Sequence, residues 1–152
     1  MTPAVPADAD PSAVEVGVQF RASVDGYLTG VRFYKGSTNT GTHIGHLWTS
    51  SGTLLATATF LNETASGWQS VTFANPIPIT ANTVYVASYH TTVGHFALTR
   101  PYFATAGYSN GPLYAFSTSE VVGGNGVYAY PSGFPNQSWE ASNYWVDVIF
   151  TP

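Results

Sequence analysis

The chain has 152 residues, a length typical of one domain that buries a core without disulfides or structural metals. Charged residues make up 8% and aromatic residues 15%, a composition too apolar for a disordered chain. A net charge of -4 with four Lys plus Arg argues against nucleic acid and anionic membranes as partners. The absence of Cys excludes disulfides and thiol catalysis. No apolar run reaches the roughly 18 residues of a transmembrane helix, so we expect no membrane insertion.

Composition divides the chain into two parts. Residues 1–13 contain Pro3, Pro6 and Pro11 and predict a flexible linker or an N-terminal extension. Residues 14–152 predict one β domain. Residues 14–20 alternate with Val14 and Phe20 on one face, which predicts the first strand.

Further strands follow at a spacing of roughly ten residues. An Asp-Gly turn signal predicts that the first strand forms a hairpin with residues 27–34. Residues 43–49 and 53–60 predict a second hairpin, and the last predicted strands before residue 100 are 68–73, 83–90 and 94–99. Pro76 and Pro78 exclude their segment from a central strand. No helical periodicity is present, so we predict an antiparallel β-sandwich of jelly-roll type.

Two regions after residue 100 differ sharply in pattern. Residues 101–143 are rich in Gly, Ser, Asn and aromatic residues and predict a long loop segment that folds over the core or carries function. Residues 143–150 are apolar on both faces, which predicts a central strand covered on both sides. Asp147 in that strand would then need a cation or several hydrogen bonds.

Several stretches resemble a known family. They are residues 16–20, 30–36, 41–48, 65–69, 85–90, 110–113 and 143–147. Together they resemble a bacterial domain family of unknown function that recurs in secreted actinobacterial proteins beside immunoglobulin-like and carbohydrate-active modules. The resemblance covers residues 14–151 and implies a secreted, cell-surface accessory module. It supplies no catalytic residues.

Asp147 is the first candidate site residue. One interpretation pairs it with Arg32, Arg100 or Arg21, or with loop amides through hydrogen bonds, as a structural lock. The other makes Asp147 a ligand of sugar hydroxyls or of a structural calcium ion, with Glu15 as the second carboxylate for calcium if the terminal strands are neighbours.

Aromatic side chains are the second group of candidates. Tyr34, His46 and Trp48 lie opposite the clearest core positions of their strands and would form a stacking platform for a sugar if that face is exposed, with Arg32 beside them. If it is covered by residues 101–143, they form a second core layer. In that later segment, the candidates for a ligand groove are Tyr130, Asn136 and Trp139.

No motif indicates catalysis, since neither a nucleophile elbow nor a phosphate loop occurs and no pair of carboxylates is marked. We therefore expect a non-catalytic extracellular module that binds a polysaccharide or other glycan. The alternative is a structural, adhesive or self-associating module without a small ligand. Apart from the calcium ion, no cofactor is expected.

Overall fold

A computed structural model describes all 152 residues and shows two antiparallel sheets that pack face to face. The predicted β-sandwich is confirmed. The eleven strands are β1 Val14–Ala22, β2 Gly26–Lys35, β3 Ile44–Thr49, β4 Leu54–Thr59, β5 Gly67–Ile79, β6 Tyr85–Thr91, β7 Tyr108–Asn110, β8 Leu113–Ala115, β9 Val127–Ala129, β10 Gln137–Ser138 and β11 Val146–Thr151. The structure has no helix that could span a membrane.

The larger sheet has eight strands and is organised around β1. Its main path runs β10-β9-β1-β6-β3-β4, and β8 pairs with both β1 and β7. The alternation of β1 is confirmed, because Val14, Val16, Val18 and Phe20 are all buried in the core. The predicted hairpin of β3 and β4 is also confirmed.

The smaller sheet has three strands in the order β11-β2-β5. β5 contains Pro76 and Pro78 and lies at the edge, as the proline argument predicted. The predicted hairpin of the first two strands is wrong, because β1 belongs to the large sheet and β2 to the small one. After β1 the backbone leaves the large sheet, and β2 pairs with β5 and β11 instead.

The last strand is an edge strand, so the prediction of a central strand is wrong. β11 pairs only with β2. Val146 and Val148 face the core, whereas Ile149 is exposed on the opposite face. The apolar character of that second face comes mainly from Trp145, which precedes the strand and has a positive φ of 58°. Trp145 packs among other aromatic rings rather than under a further layer of sheet.

The core between the sheets is closed by aromatic stacking. Phe33 of β2 stacks on Tyr89 of β6, with ring centres 4.0 Å apart and planes inclined by 19°. The rings of Phe60 and Phe33 are nearly perpendicular, with their centres 4.9 Å apart. These contacts join the two sheets, because Phe33 belongs to the small sheet and Tyr89 to the large one.

The N-terminal residues are docked on the sandwich. The backbone N–H of Val5 donates to the carbonyl of Leu98, the carbonyl of Val5 accepts from the N–H of Leu98, and the N–H of Asp8 donates to the carbonyl of Phe96. The Pro6 carbonyl lies so close to Gly36 that a Cβ built there would come within 2.3 Å of it. The stretch for which composition predicted a linker or extension is thus hydrogen-bonded into the domain.

Residues 101–143 extend the large sheet and cover its outer face. Between β8 and β9, the side-chain amide of Asn125 accepts from the Gln19 N–H at 2.9 Å and donates to the Gln19 carbonyl at 3.0 Å. Along β1, the pairing with β9 ends before the pairing with β8 begins. In this gap the Asn125 amide makes the two backbone hydrogen bonds that a residue of a neighbouring strand would otherwise make. Farther along, Phe134 and Val127 pack against Trp48. The segment therefore acts as a cover for the large sheet.

Candidate functional site

The outer face of the small sheet gathers polar and aromatic side chains at one place. Antiparallel register sets Asp147 opposite Arg32 and Arg32 opposite Ser70. Two residues farther along β2, Tyr34 lies opposite Trp68 of β5. Since side chains alternate along strands, these residues project on the same side of the sheet.

Arg32 and Asp147 form an ion pair at the centre of this face. The Nε and Nη2 atoms of Arg32 donate to Asp147 Oδ2 at 3.0 and 2.8 Å. Among the arginines considered for Asp147, Arg32 is the partner. The two side chains keep 39% and 35% of their surface exposed, so the pair can meet a ligand from solvent. Arg32 also lies over the Trp68 ring, with its Cζ 4.4 Å from the ring centre.

Four aromatic rings continue from the ion pair as a row. Trp68, Trp145, Tyr102 and Tyr108 follow one another with successive ring centres 6.3, 6.4 and 6.5 Å apart. Trp68 and Tyr108 at the two ends are 38% and 44% exposed, while Trp145 between them is buried. Burial, reinforced by the neighbouring Tyr108, raises the pKa of Tyr102. Its hydroxyl donates to Met1 Sδ at 3.5 Å.

These residues line a cleft of about 270 Å³ at the open side of the sandwich. One wall is β11, and the other is formed by β7 and β8 of the large sheet. Arg32 and Asp147 are its only charged side chains and have opposite signs. The cleft thus combines aromatic surface with a few convergent hydrogen-bonding groups, the arrangement common in small-molecule sites.

His46 and Trp48 occupy a different place, on the covered outer face of the large sheet. Trp48 is only 9% exposed, packs against Phe134 and donates from Nε1 to Ser88 Oγ at 2.8 Å. The exposed platform of Tyr34, His46 and Trp48 is therefore not formed: β2 and β3 belong to different sheets, and the face of β3 lies under the later segment, as the second interpretation expected.

Glu15 is the centre of the polar network beneath that cover. Its carboxylate is 1% exposed, and Oε2 accepts from His46 Nδ1 and Ser88 Oγ, each at 2.7 Å. Its other oxygen, Oε1, lies 3.8 Å from His90 Nδ1, too far for a hydrogen bond, and neither atom has a partner. No group of three or more His, Cys, Asp and Glu side chains is arranged to hold a metal ion.

The two carboxylates considered for calcium do not come together. Glu15 is enclosed on the outer face of the large sheet, whereas Asp147 lies on the outer face of the small sheet beside Arg32. A calcium ion shared by the two residues has no geometric basis here.

The remaining candidates lie at a third place. Trp139 is 57% exposed and, with Tyr130, lines a separate depression of about 300 Å³. The Tyr130 hydroxyl donates to Asp10 of the docked N-terminal residues. Asn136 is exposed on the same segment but does not line this depression.

A second buried polar network lies between the sheets, at the start of β3. His43 is fully enclosed, with Nδ1 2.8 Å from Glu63 Oε1 and Nε2 2.7 Å from Asn39 Oδ1. Burial lowers the pKa of the His43 imidazole, and the Glu63 carboxylate acts in the opposite direction. Lys35 Nζ lies 3.2 Å from the same carboxylate.

Comparison with known protein families finds one match that covers most of the chain. Residues 1–146 match the family described as Domain of unknown function (DUF4082). The chain belongs to this family. No curated protein and no solved structure matches the chain.

For this DUF4082 domain, sequence reasoning found part of the cleft and missed the rest. Arg32 lies in the cleft, and Tyr34 supports it through an edge contact with Trp68 at 5.7 Å. The ring row was not proposed as a site. The spacing of Trp145 and Asp147 on one face was the available signal, but only the pairing of β11 with β2 joins them to Arg32.

Proposed function

We propose that this domain is a non-catalytic extracellular module that binds carbohydrate in the cleft beside Arg32 and Asp147. The observation that carries the proposal is the solvent-accessible ion pair packed against an exposed tryptophan within a row of aromatic rings. Sugar rings present C–H faces that pack on aromatic surfaces, and their hydroxyls both donate and accept hydrogen bonds.

The polar groups of the cleft suit such a ligand. Asp147 offers an acceptor, and the Nη1 of Arg32, which makes no bond to Asp147, offers a donor. Asn110 and Asn143 add amide groups to the lining. A pair of vicinal hydroxyls can meet a donor and an acceptor at once, which fixes the orientation of a ring stacked alongside.

A glycan array probed with the isolated domain tests this proposal. Trp68→Ala should weaken binding at least about tenfold, the equivalent of 1.4 kcal/mol, while leaving the melting temperature nearly unchanged. Tyr27→Ala is the matched control, because Tyr27 is also a half-exposed aromatic residue of the small sheet but lies outside the cleft. If no array glycan binds, or if both variants bind like the wild type, the proposal fails.

A self-associating surface module is the second candidate, and the open edge of β11 favours it. β11 pairs with β2 on one side only, and Ile149 on this strand is exposed. Unpaired edges accept strands from other chains. Light scattering over a range of protein concentrations would then show growing mass, and Ile149→Lys would suppress it. A constant monomer mass would reject this candidate.

A further inference from the structure

The aromatic cleft does not end at the ion pair. A second depression, of about 490 Å³, begins there and follows β11 in the opposite direction. Both depressions are lined by Arg32, Asp147, Asn110, Leu113 and Val148. Since they share these five residues, they form one groove that is open on both sides of the ion pair.

The groove is longer than a single sugar ring. Val146 lines the aromatic half and Phe150 lines the far half. At about 3.3 Å per residue, the distance along β11 between these two residues is about 13 Å. A ligand that filled only the aromatic half would leave the rest of the groove empty.

The two halves differ in chemistry. The aromatic half contains the ring row, whereas the far half is lined by Ser70, by the turn at Gly111 and Pro112, and by the apolar side chains at the end of β11. The first half suits stacking, whereas the second offers the Ser70 hydroxyl as a hydrogen-bonding group beside apolar surface that can meet C–H groups of a sugar. Across the whole groove the only charged side chains are Arg32 and Asp147, which compensate each other.

We propose that the groove binds an internal segment of a neutral polysaccharide chain, with sugar residues on both sides of the Arg32–Asp147 pair. This inference rests on the proposed carbohydrate function and specifies its ligand. One sugar stacks in the aromatic half, its neighbour meets the ion pair, and the next reaches Ser70. Exposed residues lie toward both ends, Tyr108 in the aromatic half and Pro152 in the far half, so the chain can continue past them into solvent.

Calorimetric titration with ladders of xylo-, cello- and malto-oligosaccharides, from monosaccharide to hexasaccharide, tests the inference. For the ladder that binds, affinity should rise at least about tenfold between the disaccharide and the hexasaccharide, because longer ligands add contacts in the far half. Ladders of uronic acids should bind no better than neutral ones of equal length. A preference for the uronic acids would overturn the neutral ligand.

A blocking substitution separates the two halves. Ser70→Gln places a larger side chain in the far half and should weaken hexasaccharide binding about tenfold while leaving disaccharide binding unchanged. Thr72→Gln is the control, since Thr72 is the next exposed residue on the same face of β5 and lies outside both depressions.

The outcomes distinguish the two proposals. If all lengths bind equally and Ser70→Gln has no effect, but Trp68→Ala still weakens binding, the extended groove is wrong and carbohydrate binding in the cleft stands. If Trp68→Ala has no effect at any length, both proposals fail. Melting temperatures of the variants verify that each one is folded.

Discussion

The outer faces of the two sheets carry similar groups that differ in their exposure to solvent. On the small sheet, the Asp147 carboxylate meets Arg32 beside Trp68, and all three are reached by solvent. On the large sheet, the Glu15 carboxylate meets His46 beside Trp48, and the carboxylate and the indole are buried.

The difference lies in what covers each face. Phe134 packs over Trp48, whereas no segment closes over Trp68. A carboxylate removed from water loses several kcal/mol of hydration and must recover it through hydrogen bonds, so the Glu15 network stabilises a fixed arrangement. An exposed pair is worth at most about 1 kcal/mol, and its groups remain available to a ligand. Similar sets of groups, a carboxylate with a nitrogen partner and a tryptophan, therefore form a structural network in one place and a candidate binding site in the other.

The largest expected effect comes from removing the buried carboxylate. Glu15→Ala leaves His46 Nδ1 and Ser88 Oγ without their acceptor, and we expect the free energy of unfolding to fall by about 3 to 5 kcal/mol. Urea denaturation measures the change, and Asp147→Ala is the matched control on the exposed face. Equal losses in the two variants would contradict the contrast between the faces.

A second comparison uses the two tryptophans. Trp48→Phe removes the indole N–H that donates to Ser88 and leaves a partly filled space against Phe134, so we expect a loss of about 1 to 3 kcal/mol in stability. Trp68→Phe should change stability by less than about 0.5 kcal/mol, because Trp68 is partly exposed and makes no hydrogen bond. Thermal unfolding of both variants checks the prediction, and a larger loss for Trp68→Phe would reverse our assignment of core and cleft.

Acid should act on the buried network around His43. Because the pKa of His43 is lowered in the folded protein, the unfolded chain binds more protons between that lowered pKa and the ordinary value of about 6.5. Stability should therefore decline as the pH falls through this window. His43→Gln should flatten the decline and Asp147→Asn should keep it, as followed by urea unfolding at several pH values. An unchanged slope in His43→Gln would assign the decline to another group.

The smallest effect belongs to the exposed pair itself. Asp147→Asn should lower stability by less than about 1 kcal/mol, because both partners are more than one-third exposed. The same substitution should weaken glycan binding clearly, since Arg32 loses the group that orients it. A variant that unfolds easily but binds normally would show that the pair serves the fold instead.

Local patterns were sufficient to predict much of the architecture. Alternation identified β1, and Pro76 and Pro78 correctly excluded their segment from the middle of a sheet. The turn at Ser51 and Gly52 correctly joined β3 to β4. These features depend on neighbours in the chain, and the sequence contains them directly.

Other features depend on partners distant in the chain. The turn signal at Asp25 and Gly26 carried no information about which sheet would accept β2, so the predicted hairpin failed. Likewise, the apolar residues on the outer side of the last strand predicted a second covering layer, but Trp145, one of them, lines an aromatic cleft beside an edge strand. Trp48 was a plausible ligand contact until the later segment was seen to lie over it.

The docked N-terminal residues have a practical consequence for anyone who shortens this chain. Asp8 and Asp10 line the same depression as Val14, Phe96 and Leu98. Deleting the first twelve residues would expose these apolar side chains to solvent. It would also leave the backbone groups of Phe96 and Leu98 without the hydrogen bonds that the N-terminal residues now make to them. We expect such a shortened protein to aggregate, so protein made for binding assays should retain the docked N-terminal residues.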